Sequence, residues 1–222
     1  MRERIARAAL RVARTPSDIR LVAVSKTFDA DDVRAVADTG QIDFGENKVQ
    51  EALQKMERLG DLPLRWHLIG HLQSNKARKA AAHFDMIHSL DGPDLGERLD
   101  QAALAAGRRL ELLVQVDLAG EPTKHGARED DLMAVFETAT NWGSAAVVGL
   151  MLLPPAVDDA EQARPYFKAL SAIRERLLAR GVAGPMLRHL SMGMSHDFEV
   201  AVEEGATLVR VGSAIFGTRT RG

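Results

Sequence analysis

An α/β fold, closed as a single (β/α)8 TIM barrel over residues 1–222 with an extra N-terminal helix, is predicted by two features of the sequence. Eight short apolar runs alternate with longer helix-period segments, and no Pro/Gly/Ser-rich linker or low-complexity tract divides the chain. Strand and helix in strict alternation are what a parallel sheet with crossover connections requires. A count of eight favours closure into a barrel over an open doubly wound sheet, which is the alternative topology. With 222 residues the chain can bury a sizeable core without disulfides or metals.

The first segment, 2–14, reads as an amphipathic helix that stops before Thr15-Pro16, because the residue ahead of a proline is pushed out of the helical region. The strand runs follow at 19–26, 41–45, 65–70, 86–90, 111–118, 146–153, 186–191 and 207–212. Several are apolar at nearly every position, as strands buried on both faces of a parallel sheet are. Between them lie helical segments at 31–39, 48–59, 75–82, 94–106, 129–140, 159–180 and 196–204, several followed by a glycine suited to a helix C-cap.

Net charge is -2 with both signs interspersed, so no basic field argues for nucleic acid. Cysteine is absent, which removes thiolate catalysis and Cys-based metal sites and suits a reducing compartment. The charged start has no apolar region of signal-peptide length, and no run approaches the roughly 20 apolar residues of a membrane span. A cytoplasmic monomer is the expectation.

Function in such a barrel belongs at the carboxyl ends of the strands, and the loops after the last two strands most often hold phosphate. The first run, Ile19-Arg20-Leu21-Val22-Ala23-Val24-Ser25-Lys26, stops on a lysine at that rim. In low-dielectric surroundings an ammonium loses hydration, its pKa falls, and the amine can form a Schiff base with a carbonyl compound; the plainer reading of Lys26 is a solvated charge. The seventh run leads into Ser191-Met192-Gly193-Met194-Ser195-His196-Asp197, and the eighth ends on Gly212-Ser213-Ala214. Both loops offer backbone N–H groups to an anion, although Ser195 serves equally well as a helix N-cap. Arg210 shares a strand face with Leu208 and Gly212, so it either donates to a ring nitrogen or carboxylate of a ligand or pairs with a neighbouring acid.

Taken singly, Glu46 and Asn47 suit a helix start better than a ligand site, Lys124 reads as a solvated loop charge, and Tyr166 as a packing residue. His67 and His71 have H-x-x-x-H spacing but straddle a strand end without a third ligand, so no metal site is expected.

Ala23-Val24-Ser25-Lys26, Phe44-Gly45-Glu46-Asn47, Trp66-His67-Leu68-Ile69-Gly70-His71-Leu72-Gln73-Ser74-Asn75-Lys76, Leu190-Ser191-Met192-Gly193-Met194-Ser195 and Val209-Arg210-Val211-Gly212-Ser213-Ala214-Ile215-Phe216-Gly217 resemble, in order, the motifs of the pyridoxal phosphate homeostasis protein family. The resemblance covers nearly the whole chain. It implies a barrel of the alanine racemase N-terminal-domain type that binds pyridoxal 5'-phosphate (PLP). On that reading Lys26 is the Schiff-base lysine, and Ser191, Met192, Gly212 and Ser213 belong to the loops around the phosphate. Arg210 faces the pyridine nitrogen, Asn47 lies near the cofactor, and Lys124 matches a secondary lysine. Leu152 departs from the family, where a small or hydroxyl residue is commoner.

Two functions follow from these implications. In the first, the protein holds PLP as an imine on Lys26 and delivers it to apo-enzymes or salvage enzymes, without robust catalysis. In the second, it is a PLP-dependent amino-acid racemase with Lys26 as one base. Racemases of this fold recruit a tyrosine from an added domain, and the chain ends soon after the eighth strand, so the first is expected. An arginine at the ring nitrogen also leaves the ring a weaker electron sink than an aspartate would. A phosphosugar enzyme is a third reading and calls for acids at the strand ends, where Glu46, Asp91 and Asp117 are available.

Overall fold

The computed structural model describes residues 1–118 and 125–217. Its sheet consists of β1 (Arg20–Val24), β2 (Asp43–Glu46), β3 (Arg65–Leu68), β4 (Met86–Leu90), β5 (Leu110–Val116), β6 (Ala145–Leu152), β7 (His189–Ser191) and β8 (Leu208–Val211). The strands pair in chain order, all parallel, and β8 returns to β1, so the barrel is closed. The expected (β/α)8 architecture is therefore present.

Helices α2 (Ala30–Ala37), α3 (Val49–Arg58), α4 (Ala77–His83), α5 (Pro93–Ala105), α6 (Leu132–Ala139), α7 (Arg164–Ala179) and α8 (Phe198–Glu203) lie between successive strands. The extra helix α1 (Arg2–Arg11) packs on α8, where Arg4 and Arg11 pair with Glu199 and Glu203 at 3.1 and 2.8 Å. A short helix, α9 (Ser213–Phe216), follows β8 directly. No helix among the described residues is long and apolar enough to cross a membrane.

Alternation along each strand sends one set of side chains outward to the helices and the other into the barrel. Outward residues such as Ala23, Phe44, Leu68, Ile87, Leu112 and Val209 join one large core with the inner faces of the helices. Inward residues Val22, Met86, Leu113, Val148, Met151 and Leu208 form a second, smaller cluster inside the barrel.

Some element ends differ from the sequence reading. β1 stops at Val24, not at Lys26, because the Ser25 N–H still bonds Gly45 O while Thr27 turns into the left-handed region at φ 70°. β7 keeps only three residues, since Gly184–Leu187 coil into a helical turn ahead of it. α1 ends at Arg11, and the guanidinium of Arg14 turns inward to donate to Val202 O and Ala206 O.

Candidate functional site

At the carboxyl end of the strands a cavity of about 770 Å³ opens. Lys26, Asn47, Arg210, Gly212 and Ser213 line it, joined by Ser195, His71, Gln115, His125 and the apolar Val24, Phe28, Ile69 and Leu153. Ser191 and Met192 do not reach its wall: both are fully buried, Met192 in the outer core and Ser191 beneath Arg210. Lys124 lies outside the described residues.

Lys26 stands at the rim and is exposed, so the low-dielectric setting expected for it is absent. What the fold supplies is a fixed backbone on both sides. The Ser25 hydroxyl, fully buried, donates to Glu46 Oε1 at 2.6 Å, and the Ser25 carbonyl accepts from Lys55 Nζ at 2.7 Å. Lys55 Nζ also pairs with Glu46 Oε1 at 2.6 Å and with Glu51 Oε1 at 3.2 Å, while Glu51 in turn accepts from the Thr27 N–H. The left-handed conformation of Thr27, costly for a β-branched residue, is held by that bond. Burial pushes the Glu46 carboxyl upward, and the bonds from Lys55 and Ser25 only partly offset it.

Glu46 is thus the hub of a buried ion pair and not a helix cap. The N-cap position of α3 is Lys48, which makes no side-chain cap bond, so neither Glu46 nor Asn47 takes the role that local sequence suggested. Asn47 is instead brought into the cavity by the close approach of Gly70, where a Cβ would sit 2.3 Å from Asn47 O.

The phosphate-type loops meet each other. Gly193 has φ 90°, and a Cβ there would lie 2.5 Å from Ala201 Cβ and 2.9 Å from Phe198 Cα, so only glycine permits this turn against α8. Ser195 does not cap α8, whose N-cap residue is Asp197; its Oγ accepts from the Gly212 N–H at 3.1 Å and ties the β7 loop to the β8 loop. The first N–H groups of α9, from Ser213 and Ala214, face no preceding turn. Phe28 stacks on Phe216 at 4.9 Å and fastens the Lys26 loop to α9.

Arg210 points into the barrel and is 3 % exposed. Among the described residues no acid touches it: Nη1 donates to Ser191 Oγ at 2.5 Å and Nη2 to Leu152 O at 2.8 Å. Burial lowers its pKa to about 10, with Asp197 opposing the shift. Leu152, the position that departs from the family pattern, serves the site through its carbonyl alone, and its side chain packs in the outer core.

Sequence reasoning missed the group beneath Arg210. His88, wholly buried, meets Ser191 Oγ through Nδ1 at 2.9 Å and His67 through Nε2 at 2.9 Å, and His67 contacts Asp43 at 2.9 Å. The available signal was one polar residue on the inward face of each of these strands, but strand register was needed to read it. His71 sits at the rim, far from the role of His67, with Asp91 and His125 near it. The His71 and His125 rings stack face to face at 3.6 Å and 13°, and their nitrogens lie within 4.8 Å of one another and of the Asp91 carboxylate. Tyr166 packs against the core, as expected, and does not line the cavity.

Burial holds the His88 pKa well below 6.5 and lowers that of His189 to about 4, with Arg188 adding to the latter. Both imidazoles take up protons on unfolding below pH 6.5, so the unfolded chain binds more protons and stability falls as pH drops. One such group contributes at most about 1.4 kcal/mol per pH unit, and His189, partly exposed, contributes less. The expected result is a lower urea midpoint at about pH 5 than at about pH 7. His88→Asn should flatten that dependence; an unchanged dependence would contradict the assignment.

The chain matches the family model for the alanine racemase N-terminal domain over residues 1–220. It is 42% identical to the pyridoxal phosphate homeostasis protein of Aquifex aeolicus, covering 98% of this chain and 94% of that one. The Pseudomonas aeruginosa protein of the same name is 43% identical over 99% of this chain and 93% of its own. The structure of PipY from Synechococcus elongatus with PLP bound superposes with a TM-score of 0.86 at 42% identity, covering 97% and 99% of the two chains. The match to the family model and to these relatives runs along nearly the whole length of the chains, and the chain belongs to the pyridoxal phosphate homeostasis protein family.

Proposed function

We propose that this barrel binds PLP in the upper cavity with Lys26 as its covalent anchor, and that it serves as a cytoplasmic, monomeric holding and delivery unit without robust catalysis. The observation that carries the reading is the donor set. An amine, a guanidinium and loop hydroxyls line the cavity, and no Asp or Glu lines it among the described residues. Such a set is complementary to a phosphate dianion and to a ring nitrogen that accepts a hydrogen bond. It is poor ground for a phosphosugar enzyme, which needs carboxylates as general acids and bases.

Bound PLP supplies an aldehyde that condenses reversibly with a primary amine, releasing water, and a pyridine nitrogen able to accept a hydrogen bond. Lys26 is the amine, reachable from solvent because it is exposed. Ser195 and Ser213, with the N–H groups at the start of α9, hold the phosphate. Ser191, expected beside the phosphate, has its hydroxyl committed to Arg210 and His88 and acts as support for the arginine. Arg210 donates to the ring nitrogen without releasing a proton at neutral pH, which disfavours racemase chemistry.

The test is a visible spectrum of the purified protein with added PLP, before and after borohydride, with peptide mapping of the reduced adduct. A single adduct on Lys26 together with undetectable racemisation of amino acids is the expected outcome. An adduct elsewhere, or sustained racemisation, would overturn it. Ser195→Ala combined with Ser213→Ala is expected to weaken PLP binding at least about tenfold, since hydrogen bonds to a charged group are among the stronger ones, while pyridoxal without phosphate is barely affected. Equal losses for both ligands would place the phosphate elsewhere.

A further inference from the structure

We propose that Asp43, at the opposite mouth of the barrel, holds Arg210 on the ligand through an unbroken line of hydrogen bonds, making Asp43, His67, His88 and Ser191 positioning residues of the site. The proposal rests on the reading that Arg210 faces the ring nitrogen of PLP. Five strands contribute one residue each: Arg210 from β8, Ser191 from β7, His88 from β4, His67 from β3 and Asp43 from β2. Successive contacts are 2.5, 2.9, 2.9 and 2.9 Å. Ser191, His88 and His67 are wholly buried and Arg210 is 3 % exposed, so no water competes along the line. Asp43 is 14% exposed on its side chain and lines a second cavity of about 480 Å³ at the far mouth, beside Arg20.

The line has one direction, and its Arg210 end dictates it. A guanidinium can only donate, so Ser191 Oγ accepts from Arg210 and sends its single hydrogen to His88 Nδ1. His88 is neutral and therefore carries its proton on Nε2, which donates to His67 Nδ1. His67 then carries its proton on Nε2 and donates to Asp43 Oδ1. The Asp43 end is compatible with that order. Although burial pushes the Asp43 carboxyl upward, the bond from His67 and the nearby Arg20 and Arg65 outweigh it, so Asp43 is an anion and only accepts.

Reversal would have Ser191 Oγ accept from both Arg210 and His88 and strand its own hydrogen. The geometry therefore ties the Arg210 guanidinium to the Asp43 carboxylate through Ser191, His88 and His67, while the charge that acts on Arg210 from nearby is that of Asp197. Arg210 Nη1, which meets no carboxylate among the described residues, is thereby given a fixed acceptor and kept from swinging out of the site. Asp43 also faces Arg20 and Arg65, each at 3.8 Å, so its role at the lower mouth is shared with those two cations.

Two measurements test this. In the wild-type protein, nitrogen NMR of the imidazoles should show His67 and His88 both as neutral Nε2–H tautomers; an Nδ1–H tautomer at His88 overturns the line whatever the variants do. In Asp43→Asn the amide can accept or donate, so the far end of the line no longer has a fixed acceptor. That variant is expected to bind PLP about five- to tenfold more weakly while changing less than about twofold for the 1-deaza analogue, in which carbon replaces the ring nitrogen. An equal loss for both ligands means Asp43 merely supports the fold and sinks the proposal. If Asp43→Asn does not fold, the wild-type tautomers decide. Absence of any Lys26 adduct in the wild-type protein would be a failure of the PLP reading itself, which an unequal response of the two ligands cannot mimic.

Discussion

Lys26→Ala is expected to abolish the borohydride-fixable adduct completely while leaving the thermal midpoint within a few degrees of wild type. The chemical loss is total because replacement removes the only atom in the proposal that bonds the aldehyde, and a hydroxyl or guanidinium nearby cannot substitute for an amine at neutral pH. The small effect on stability follows from exposure: Lys26 contributes little buried surface, and surface substitutions away from caps and cores usually cost within about 0.5 kcal/mol. Residual, non-covalent binding through the phosphate loops and Arg210 should survive. Intact mass after reduction reads the first effect and a melting curve the second. A reduced adduct of unchanged yield in the variant would show that another lysine is the anchor.

Lys55→Met is expected to be the most destabilising single change near the site. It removes the partner of Glu46, which is fully buried and already has Oε2 without a hydrogen bond. Breaking a buried pair by deleting one member costs about 3–5 kcal/mol, a large share of the roughly 5–15 kcal/mol that holds a domain folded. The same change frees the Ser25 carbonyl and loosens Glu51 from the Lys26 loop, so adduct formation should slow as well.

Glu46 titrates in a characteristic direction. Its folded-state pKa is raised above 4.5, so the folded chain binds more protons and the cost of the orphaned carboxylate grows as pH rises from that value. The deficit of Lys55→Met measured by urea unfolding should therefore be smaller at about pH 5 than at about pH 7. Adding Glu46→Gln should recover part of it at about pH 7, because the amide carries no charge to strand. A deficit that ignores both pH and the second substitution would mean that lost packing, not the charge, is responsible.

Composition and periodicity alone determined the barrel, the extra helix and the rim on which function sits. Eight apolar runs separated by helical segments leave a parallel, closed arrangement as the economical way to bury every strand face, and the period of two placed Arg210, Leu208 and Gly212 inward. That Lys26, Gly212 and Ser213 share one rim was legible for the same reason: strand ends in a parallel barrel all open on one side.

Tertiary structure alone decided which polar groups meet. Local sequence made Glu46 a helix cap and Ser195 another, because a carboxylate or hydroxyl near a helix start is usually employed that way. In the folded chain Glu46 is claimed by Lys55 from α3, and Ser195 by Gly212 from the neighbouring loop. Ser191 was expected at the phosphate, yet Arg210 and His88 converge on its hydroxyl from strands far apart in the chain. Periodicity states only which way a side chain points from its own strand. Whether Asp43, His67, His88, Ser191 and Arg210 touch depends on the register between strands, and that register is set by barrel closure, to which every strand contributes at once.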